Sequence, residues 1–229
     1  MLKRISLLML VAMGIPLCAL AAGERPWMVV SGGGGRYAMT QLNNEIKIYN
    51  DTYANSPHFK TVDQGAAWGL TAGCELANHW SIGAGLDRLM AITKASDASG
   101  ALEYNLAANA WRVFAEYGLQ PSGYSSVRFG VGTGAIAESG QLTASAPNEA
   151  PLKDHVGGSG ALFEAYGGGD FWVTPMVAVQ SVAGYRYAKI KEMNISGGSV
   201  ISANGEPVGL DFSGPYVRLG VKLVAKSSN

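Results

Sequence analysis

The stretch over residues 64–93 constrains the fold more than any other part of the chain. Apolar residues take every second position from Trp68 onward, and the alternation resumes at Trp80. A period of two predicts strands, and Asn78-His79 between them predicts a tight antiparallel hairpin. Each predicted strand is a dozen or more residues long, whereas strands of globular proteins usually have about five or six residues.

The two faces of this hairpin differ in chemistry. One face is apolar, and the other consists of small residues with one carboxylate on each strand, Glu75 and Asp87. Charges that share a face with glycines, opposite a face of Val, Leu and aromatic residues, predict a polar lumen and a lipid-facing wall. The alternative is a secreted soluble barrel with an apolar interior, and the parity of the charged residues disfavours it.

Residues 1–22 have the composition of a secretory signal peptide. Lys3 and Arg4 precede the apolar run Ile5–Leu20, and small residues stand before a predicted cut after Ala22. The run is too short and wrongly flanked for a membrane anchor. Residues 23–229 are then predicted to form one domain, a size common among all-β barrels.

Composition argues against several classes of function. The 17 Lys and Arg residues balance 17 Asp and Glu residues, so no basic surface for nucleic acid is expected. Cys74 is the single cysteine after residue 22, which excludes an internal disulfide. No Cys/His cluster suggests a metal, and no motif suggests another cofactor. No apolar run of about 18 residues follows the signal, so a transmembrane helix is not expected.

Alternating segments recur along the rest of the chain, and long and short connections alternate between them. This pattern predicts an all-β fold, an eight-stranded antiparallel up-and-down transmembrane β-barrel with short turns at one end and long loops at the other. In the fourth strand the apolar parity switches between Tyr104 and Trp111, which predicts a bulge near Ala108-Asn109. The predicted strands span residues 26–37, 64–76, 80–93, 102–119, 126–140, 160–167, 176–191 and 215–224.

The first long connection, Met39–Asp63, contains a predicted short amphipathic helix with Thr40 as its N-cap. An apolar stripe is seldom left in water, so the helix is expected on or in the mouth of the barrel, in the first outer loop. The alternative is an irregular loop in which the spacing is coincidental. The stripe consists of Leu42, Ile46, Tyr49 and Tyr53.

The inward faces of the predicted strands carry as many acids as bases. An eight-stranded barrel is just wide enough for its side chains to fill, and unpaired charges in a dry interior are costly. We therefore expect a salt-bridged lumen, and the alternative is a narrow path in which the same groups select ions. The predicted network consists of Glu75, Asp87, Arg112, Glu116, Arg128, Glu138, Glu164, Arg186, Arg218 and Lys222.

Aromatic residues lie near both ends of the predicted strands, where amphipathic rings would meet the two membrane interfaces. The alternative is that Trp and Tyr are simply common at strand ends. The belt at the short-turn end is predicted to contain Trp27, Trp80, Tyr117, Phe171 and Trp172. The belt at the loop end is predicted to contain Tyr37, Trp68, Tyr104, Tyr185 and Tyr187.

No spacing of residues matches a hydrolase motif. His58 and His155 fall in the long loops, with Ser56, Asp63 and Asp154 nearby, which leaves an enzyme site at the rim as an alternative. Loop histidines are usually just solvated, so no catalytic site is expected.

The signal peptide, the eight alternating strands, the connection pattern and the lumen charges resemble small outer-membrane barrels of the OmpA, OmpX and OmpW type. The resemblance covers Pro26–Val224 and is architectural. It implies a porin-like protein in the outer membrane of a diderm bacterium, with outer-membrane lipids and the barrel-assembly machinery as partners. Roles in such families range from structural anchoring and adhesion to the passage of small apolar solutes.

The function expected from these observations is that of a structural or surface-interaction barrel with a filled lumen. Its outer loops would carry contacts with an extracellular ligand. The first alternative is a passive transporter of a small apolar solute, which the amphipathic segment and the small inward residues would suit. The second is a lipid-modifying enzyme with its site at the rim.

Overall fold

The computed structural model describes residues 25–53, 58–97, 100–145, 151–195, 198–202 and 204–225. Eight long strands account for most of these residues, and none of them is parallel to its neighbour. The strands are β1 Arg25–Arg36, β2 Gln64–Glu75, β3 Trp80–Asp97, β4 Gly100–Ser122, β5 Ser125–Glu138, β6 Leu152–Thr174, β7 Val177–Ile190 and β8 Gly214–Val224.

Each strand pairs with the next along the chain, and the last pairs with the first. In the β8–β1 pair Val224 lies opposite Trp27 and Tyr216 lies opposite Gly35. Closure leaves no edge along the barrel wall, and a wall without edges satisfies its backbone groups without water. The predicted fold, an eight-stranded antiparallel β-barrel, is confirmed.

The predicted bulge near Ala108-Asn109 is wrong. The β3–β4 ladder runs without interruption from Trp80–Tyr117 to Asp97–Gly100. Tyr104 and Leu106 point inward, like Arg112 farther along the strand, and all three are buried. The apolar parity switches because the lumen changes from polar to apolar along β4, so no extra residue is needed.

The two ends of the barrel differ. The inner end carries both ends of the described chain and three short turns, at residues 76–79, 123–124 and 175–176. Asn78 and His79 have φ values of 62° and 67° in the first of these turns. The outer end carries the long segments, where β3, β4 and β6 extend beyond their neighbours. Four short strands lie there: Gln141–Ser145, Asn194–Ile195, Gly198–Ser199 and Leu210–Asp211.

Helix α1, Thr40–Thr52, lies in the first outer connection as predicted, but its N-cap is Met39 rather than Thr40. Met39 has φ 40° and makes no side-chain capping bond. Its backbone N–H donates to Asp211 O at 3.0 Å, and its side chain is fully buried. Tertiary contacts before β8 therefore set where the helix begins, in place of a side-chain cap.

Strand β6 is much longer than the predicted span of residues 160–167. Its first residues, from Leu152, pair with the short strand Gln141–Ser145. No helix in the described residues is long and apolar enough to cross a membrane. The predicted signal peptide and the residues after Ala225 lie outside the described residues.

Candidate functional site in the barrel lumen

The outer half of the lumen is filled by an apolar core, which we call the outer seal. Helix α1 contributes Leu42 and Ile46, and the barrel wall contributes inward side chains such as Leu106 and Leu162. The connection before β8 contributes Phe212, whose ring meets Tyr37 edge to face at 5.3 Å between centroids. The larger buried members of the seal are Tyr37, Met39, Leu42, Ile46, Leu89, Tyr104, Leu106, Ile136, Leu162, Ile190, Met193, Leu210 and Phe212.

The segment after α1 is tied back onto the helix by side-chain amides. Asn43 Nδ2 donates to Val62 O at 2.9 Å and Asn43 Oδ1 accepts from Val62 N at 2.8 Å. Asn50 makes the same pair of bonds with Phe59, at 2.9 and 3.0 Å. Tyr49 packs against Phe59 with ring centroids 5.4 Å apart. The first outer connection is therefore anchored at both ends of the helix.

Two of the predicted stripe residues differ from Leu42 and Ile46. Tyr49 is only partly buried, and Tyr53, at the end of α1, is 54% exposed. Tyr37 is buried in the seal, where its hydroxyl donates to Ala66 O at 3.3 Å, and burial raises the pKa of the phenol.

Below the seal lies the upper ion cluster, which consists of Asp87, Glu164, Arg112, Arg186 and Arg218. Asp87 contacts all three arginines: Arg112 through Oδ2, Arg186 at 3.3 Å and Arg218 at 3.0 Å. Glu164 lies 2.8, 3.8 and 3.3 Å from the same three guanidinium groups. The 2.8 Å contact with Arg112 Nε has the distance of an ion pair but not the angle of a hydrogen bond.

Aromatic and hydroxyl groups complete the upper cluster. Tyr216 donates to Glu164 at 3.3 Å, and its ring lies 4.8 Å from the Arg186 guanidinium and 4.4 Å from that of Arg218. Thr71 accepts from Arg112 at 3.1 Å. Three bases therefore share two acids and several polarisable partners, which offsets part of the cost of burying charge.

The lower ion cluster consists of Glu116, Arg128, Asp170, Lys222 and Glu75. Arg128 contacts Glu116 at 2.9 Å and also Asp170, and Lys222 lies 3.3 Å from Asp170. Lys222 lies 3.5 Å from Glu75, whose side chain is 34% exposed. The Lys222 ammonium also lies over the Trp27 ring, at 4.9 Å from its centroid. Tyr166, Gln180 and Ser126 donate to the carboxylates of this cluster.

Nine of the ten predicted lumen charges belong to these two clusters, and Glu138 does not. Glu138 lies in the outer seal, where it accepts a hydrogen bond from Tyr104 at 2.8 Å. Its second oxygen has no hydrogen-bond partner among the described residues. The tenth member of the two clusters is Asp170, which was not among the predicted lumen charges.

Inward glycines make room for the largest lumen side chains. A Cβ on Gly69 would lie 2.1 Å from the Asp87 carboxylate, and a Cβ on Gly130 would lie 2.4 Å from the Tyr166 ring. Each of these glycines therefore lies opposite a charged or aromatic residue of the neighbouring strand. This complementarity is how so many charged and aromatic groups fit inside eight strands.

Four of the ten aromatic residues predicted for the membrane interfaces point into the barrel. Trp27, Tyr37 and Tyr104 are buried, and Trp172 packs against the Trp27 cluster at the inner end. Each lies at an inward position of its strand or connection, so its ring fills the lumen and does not face lipid. The other six are exposed on the outer wall: Trp68, Trp80, Tyr117, Phe171, Tyr185 and Tyr187.

A cavity of about 230 Å³ opens below the lower ion cluster at the inner end. It is lined by Arg25, Glu75, His79 and Trp172, and by Arg128 of the lower ion cluster. The lumen is therefore polar at the inner mouth and apolar at the outer mouth.

The cavity bears on the stability effect expected for replacing Glu75, because the Glu75 side chain lines it and is 34% exposed. Because Glu75 is partly solvated and Lys222 keeps Asp170 as a partner, we expect Glu75→Ala to lower the free energy of unfolding by less than about 1 kcal/mol. The measurement is urea unfolding in phospholipid vesicles, with Asp170→Asn as the buried comparison, which should cost about 3–5 kcal/mol. A large loss for Glu75→Ala would show that the inner mouth is dry.

The outer wall of the barrel decides what kind of protein this is. Apolar side chains stand exposed on all sides, among them Val30 at 61%, Val131 at 63% and Leu219 at 67%. The charged residues of β5 and β8, by contrast, are buried inside: Arg128, Glu138, Arg218 and Lys222. A water-soluble protein has the opposite arrangement, and a barrel in lipid has this one. The protein is a transmembrane β-barrel of the outer-membrane type.

A comparison with solved structures finds outer-membrane barrels that are similar to this chain. Ail of Yersinia pestis, in complex with the heparin analogue sucrose octasulfate, shares 11% identity over 90% of this chain and all of its own, with a TM-score of 0.46. OprG of Pseudomonas aeruginosa shares 12% identity over 90% of this chain and 97% of its own, with a TM-score of 0.41. The outer membrane protease OmpT of Escherichia coli shares 10% identity over 89% and 97%, with a TM-score of 0.38. No family model and no curated protein sequence matches this outer-membrane barrel.

The two loop histidines that suggested an enzyme site at the rim are solvent-exposed side chains in this barrel. His58 and His155 are both exposed, and His155 lies on β6 opposite Gln141. Ser56 lies outside the described residues. Within the described ranges, no group of three or more His, Cys, Asp or Glu side chains could hold a metal ion.

Proposed function

We propose that this outer-membrane barrel is a non-conducting structural or surface-interaction protein that meets an extracellular partner through its outer segments. The observation that supports the proposal most is the outer seal. Among the described residues, a plug of buried apolar side chains that includes part of α1 fills the outer half of the lumen, which opposes the passage of an ion. Below it, the five bases of the two ion clusters are balanced by five acids. Insertion would require the barrel-assembly machinery.

The outer segments present exposed backbone extensions and apolar side chains that suit contacts with a partner. Strands β3, β4 and β6 extend outward beyond the other strands, and the short strand Gln141–Ser145 pairs with both β4 and β6. Large apolar side chains stand exposed on these segments: Ile48, Tyr53, Ile92, Leu152 and Ile201. Exposed apolar groups rimmed by polar residues are typical of protein interaction surfaces.

Conductance in planar bilayers tests the sealed lumen. We expect the purified, folded barrel to show no discrete openings at moderate voltage, because ions would have to cross the apolar core between Leu106 and Leu162. A trimeric porin added to the same bilayer serves as the positive control. Stable unitary openings of the barrel itself would contradict the proposal.

Thiol accessibility distinguishes a dry seal from a wet one by a second route. In a Cys74→Ala background, Leu162→Cys should remain unmodified by a membrane-impermeant maleimide, while Ile201→Cys, at an exposed outer position, should react within minutes. Equal labelling of the two variants would show that water and small solutes enter the outer half of the lumen.

A passive transporter for a small apolar solute remains the alternative from another class. It would need the seal to separate, and the hydrogen bonds that hold the first outer connection to α1 oppose this. A lipid-modifying enzyme at the rim is the other alternative, since a fold does not decide function. Turnover of a phospholipid substrate by the wild-type barrel, abolished by His155→Ala, would favour that function.

A further inference from the structure

Arg88 is a base on the wall of the barrel that faces lipid. It lies on β3 at an outward position, between Trp68 on β2 and Asn109 on β4 in the register of the sheet. A charge that faces hydrocarbon is costly at the middle of the bilayer, and the cost falls to about 0–1 kcal/mol near the interfaces. The position of Arg88 along β3 therefore matters.

Strand geometry places Arg88 at the outer interface. Trp80 marks the inner end of the lipid-facing part of β3, and at about 3.3 Å per residue and a tilt near 40° the Arg88 Cα lies roughly 20 Å farther out. The apolar band of such barrels is about 25 Å tall. The long side chain of Arg88 can therefore reach the headgroup layer from just inside the band.

The guanidinium of Arg88 is held in place through Nη1, and its other N–H groups have no hydrogen-bond acceptor among the residues that the structure describes. Its Nη1 donates to Asn109 Oδ1 at 3.0 Å and to Ser139 Oγ. None of the ion pairs found in the described part of the chain includes Arg88. Lys189, an outward base on β7, differs because Asp211 lies 3.0 Å from its ammonium.

The neighbours of Arg88 fit an anion rather than an acyl chain. The Asn109 amide oxygen already accepts from Arg88, which leaves the amide N–H groups as donors beside the free guanidinium N–H groups. Trp68 and Trp111 stand exposed on the strands that flank β3. A fixed guanidinium, an amide donor and interfacial indoles together match a phosphate group at the membrane surface.

We propose that Arg88, with Asn109, binds a phosphate on the headgroup of an outer-leaflet glycolipid of the lipid A class. The proposal goes beyond the function suggested above, since it assigns a lipid to the wall and not a partner to the outer segments. The phosphate accepts hydrogen bonds from Arg88 Nη2 and Nε and from the Asn109 amide. A bidentate, charge-assisted contact of this kind accounts for about a tenfold difference in affinity.

The test uses the full-length barrel in nanodiscs of neutral phospholipid with a small fraction of diphosphoryl lipid A. Native mass spectrometry counts the lipid A molecules that stay on the released protein. Arg88→Gln should retain about tenfold less lipid A than wild type. Asn109→Ala, which keeps the charge and removes the group that orients it, should also retain less. Heat-modifiable gel migration verifies that each variant is folded.

Three comparisons make the result specific. Lys94→Gln removes one positive charge from the same strand and should retain lipid A like the wild type, so an equal loss in this variant would overturn the proposal. Equal retention of fully dephosphorylated lipid A would overturn it as well, because phosphate would not be the recognised group. Displacement of lipid A by millimolar inorganic phosphate would show a site for free anions and overturn the assignment to a headgroup. Unchanged retention by folded Arg88→Gln would do the same.

Discussion

Asp87→Asn is expected to destabilise the barrel by about 3–5 kcal/mol, because it removes one of the two acids of the upper ion cluster. The carboxylate is buried and contacts Arg112, Arg186 and Arg218 at once. Asparagine has the same shape but no charge, so three buried guanidinium groups would share Glu164 alone. Urea unfolding in phospholipid vesicles, followed by tryptophan fluorescence, measures the change in the free energy of unfolding.

Asp211→Asn is the matched control for this experiment. It makes the same change, from aspartate to asparagine, in the ion pair between Asp211 and Lys189, and the Lys189 side chain is 47% exposed. Exposed pairs contribute little, so a change within about 1 kcal/mol is expected. If Asp87→Asn and Asp211→Asn shifted the unfolding midpoint equally, the upper ion cluster would have to be hydrated, and the lumen would be open to water at that level.

Phe212→Ala is expected to cost about 3–5 kcal/mol through loss of packing in the outer seal. Phe212 is among the largest fully buried side chains and packs edge to face on Tyr37. Its backbone N–H donates to Ala188 O at 2.9 Å, which leaves the segment little freedom to collapse into the cavity. The same unfolding measurement applies.

Ile201→Ala serves as the control for Phe212→Ala, because Ile201 lies on the same outer connection but is 54% exposed. Its replacement should change stability by less than about 0.5 kcal/mol. If Phe212→Ala were also neutral, the apolar side chains of the outer connections would not be packed on the barrel, and the seal would be weaker than the buried surface implies.

The alternation of residues predicted the eight strands because a wall between lipid and a filled lumen imposes a period of two on every strand. Parity alone could not tell an apolar lumen from lipid. Tyr104 therefore looked like an interfacial residue and the register of β4 looked broken. Only the structure shows that Arg112 and Leu106 share one inward face of β4, the first in the polar part of the lumen and the second in the apolar part.

Other features of the structure could not be predicted from the sequence, for different reasons. Asp170 follows three glycines, Gly167–Gly169, and glycines carry no parity, so the face of the acid could not be read from its neighbours. The outer part of β6, from Leu152, faces water on the outside, and there the contrast between its two faces weakens. Asn43 and Asn50 act through backbone groups of a returning segment, and nothing in their own spacing marks that partner.

The division of charge between strands has a consequence for the rate at which this barrel opens. The final strand, β8, brings Arg218 and Lys222 to acids on β2, β3 and β6, which lie on other parts of the circumference. The acids on β2 and β3 lie across the seam between β8 and β1, so their contacts with these bases depend on that pairing. Separating β8 would expose both ion clusters to water at once and break a ladder of nine residue pairs. Opening at this seam should therefore be rare and slow, and the native state should persist for kinetic reasons even under conditions that no longer favour it.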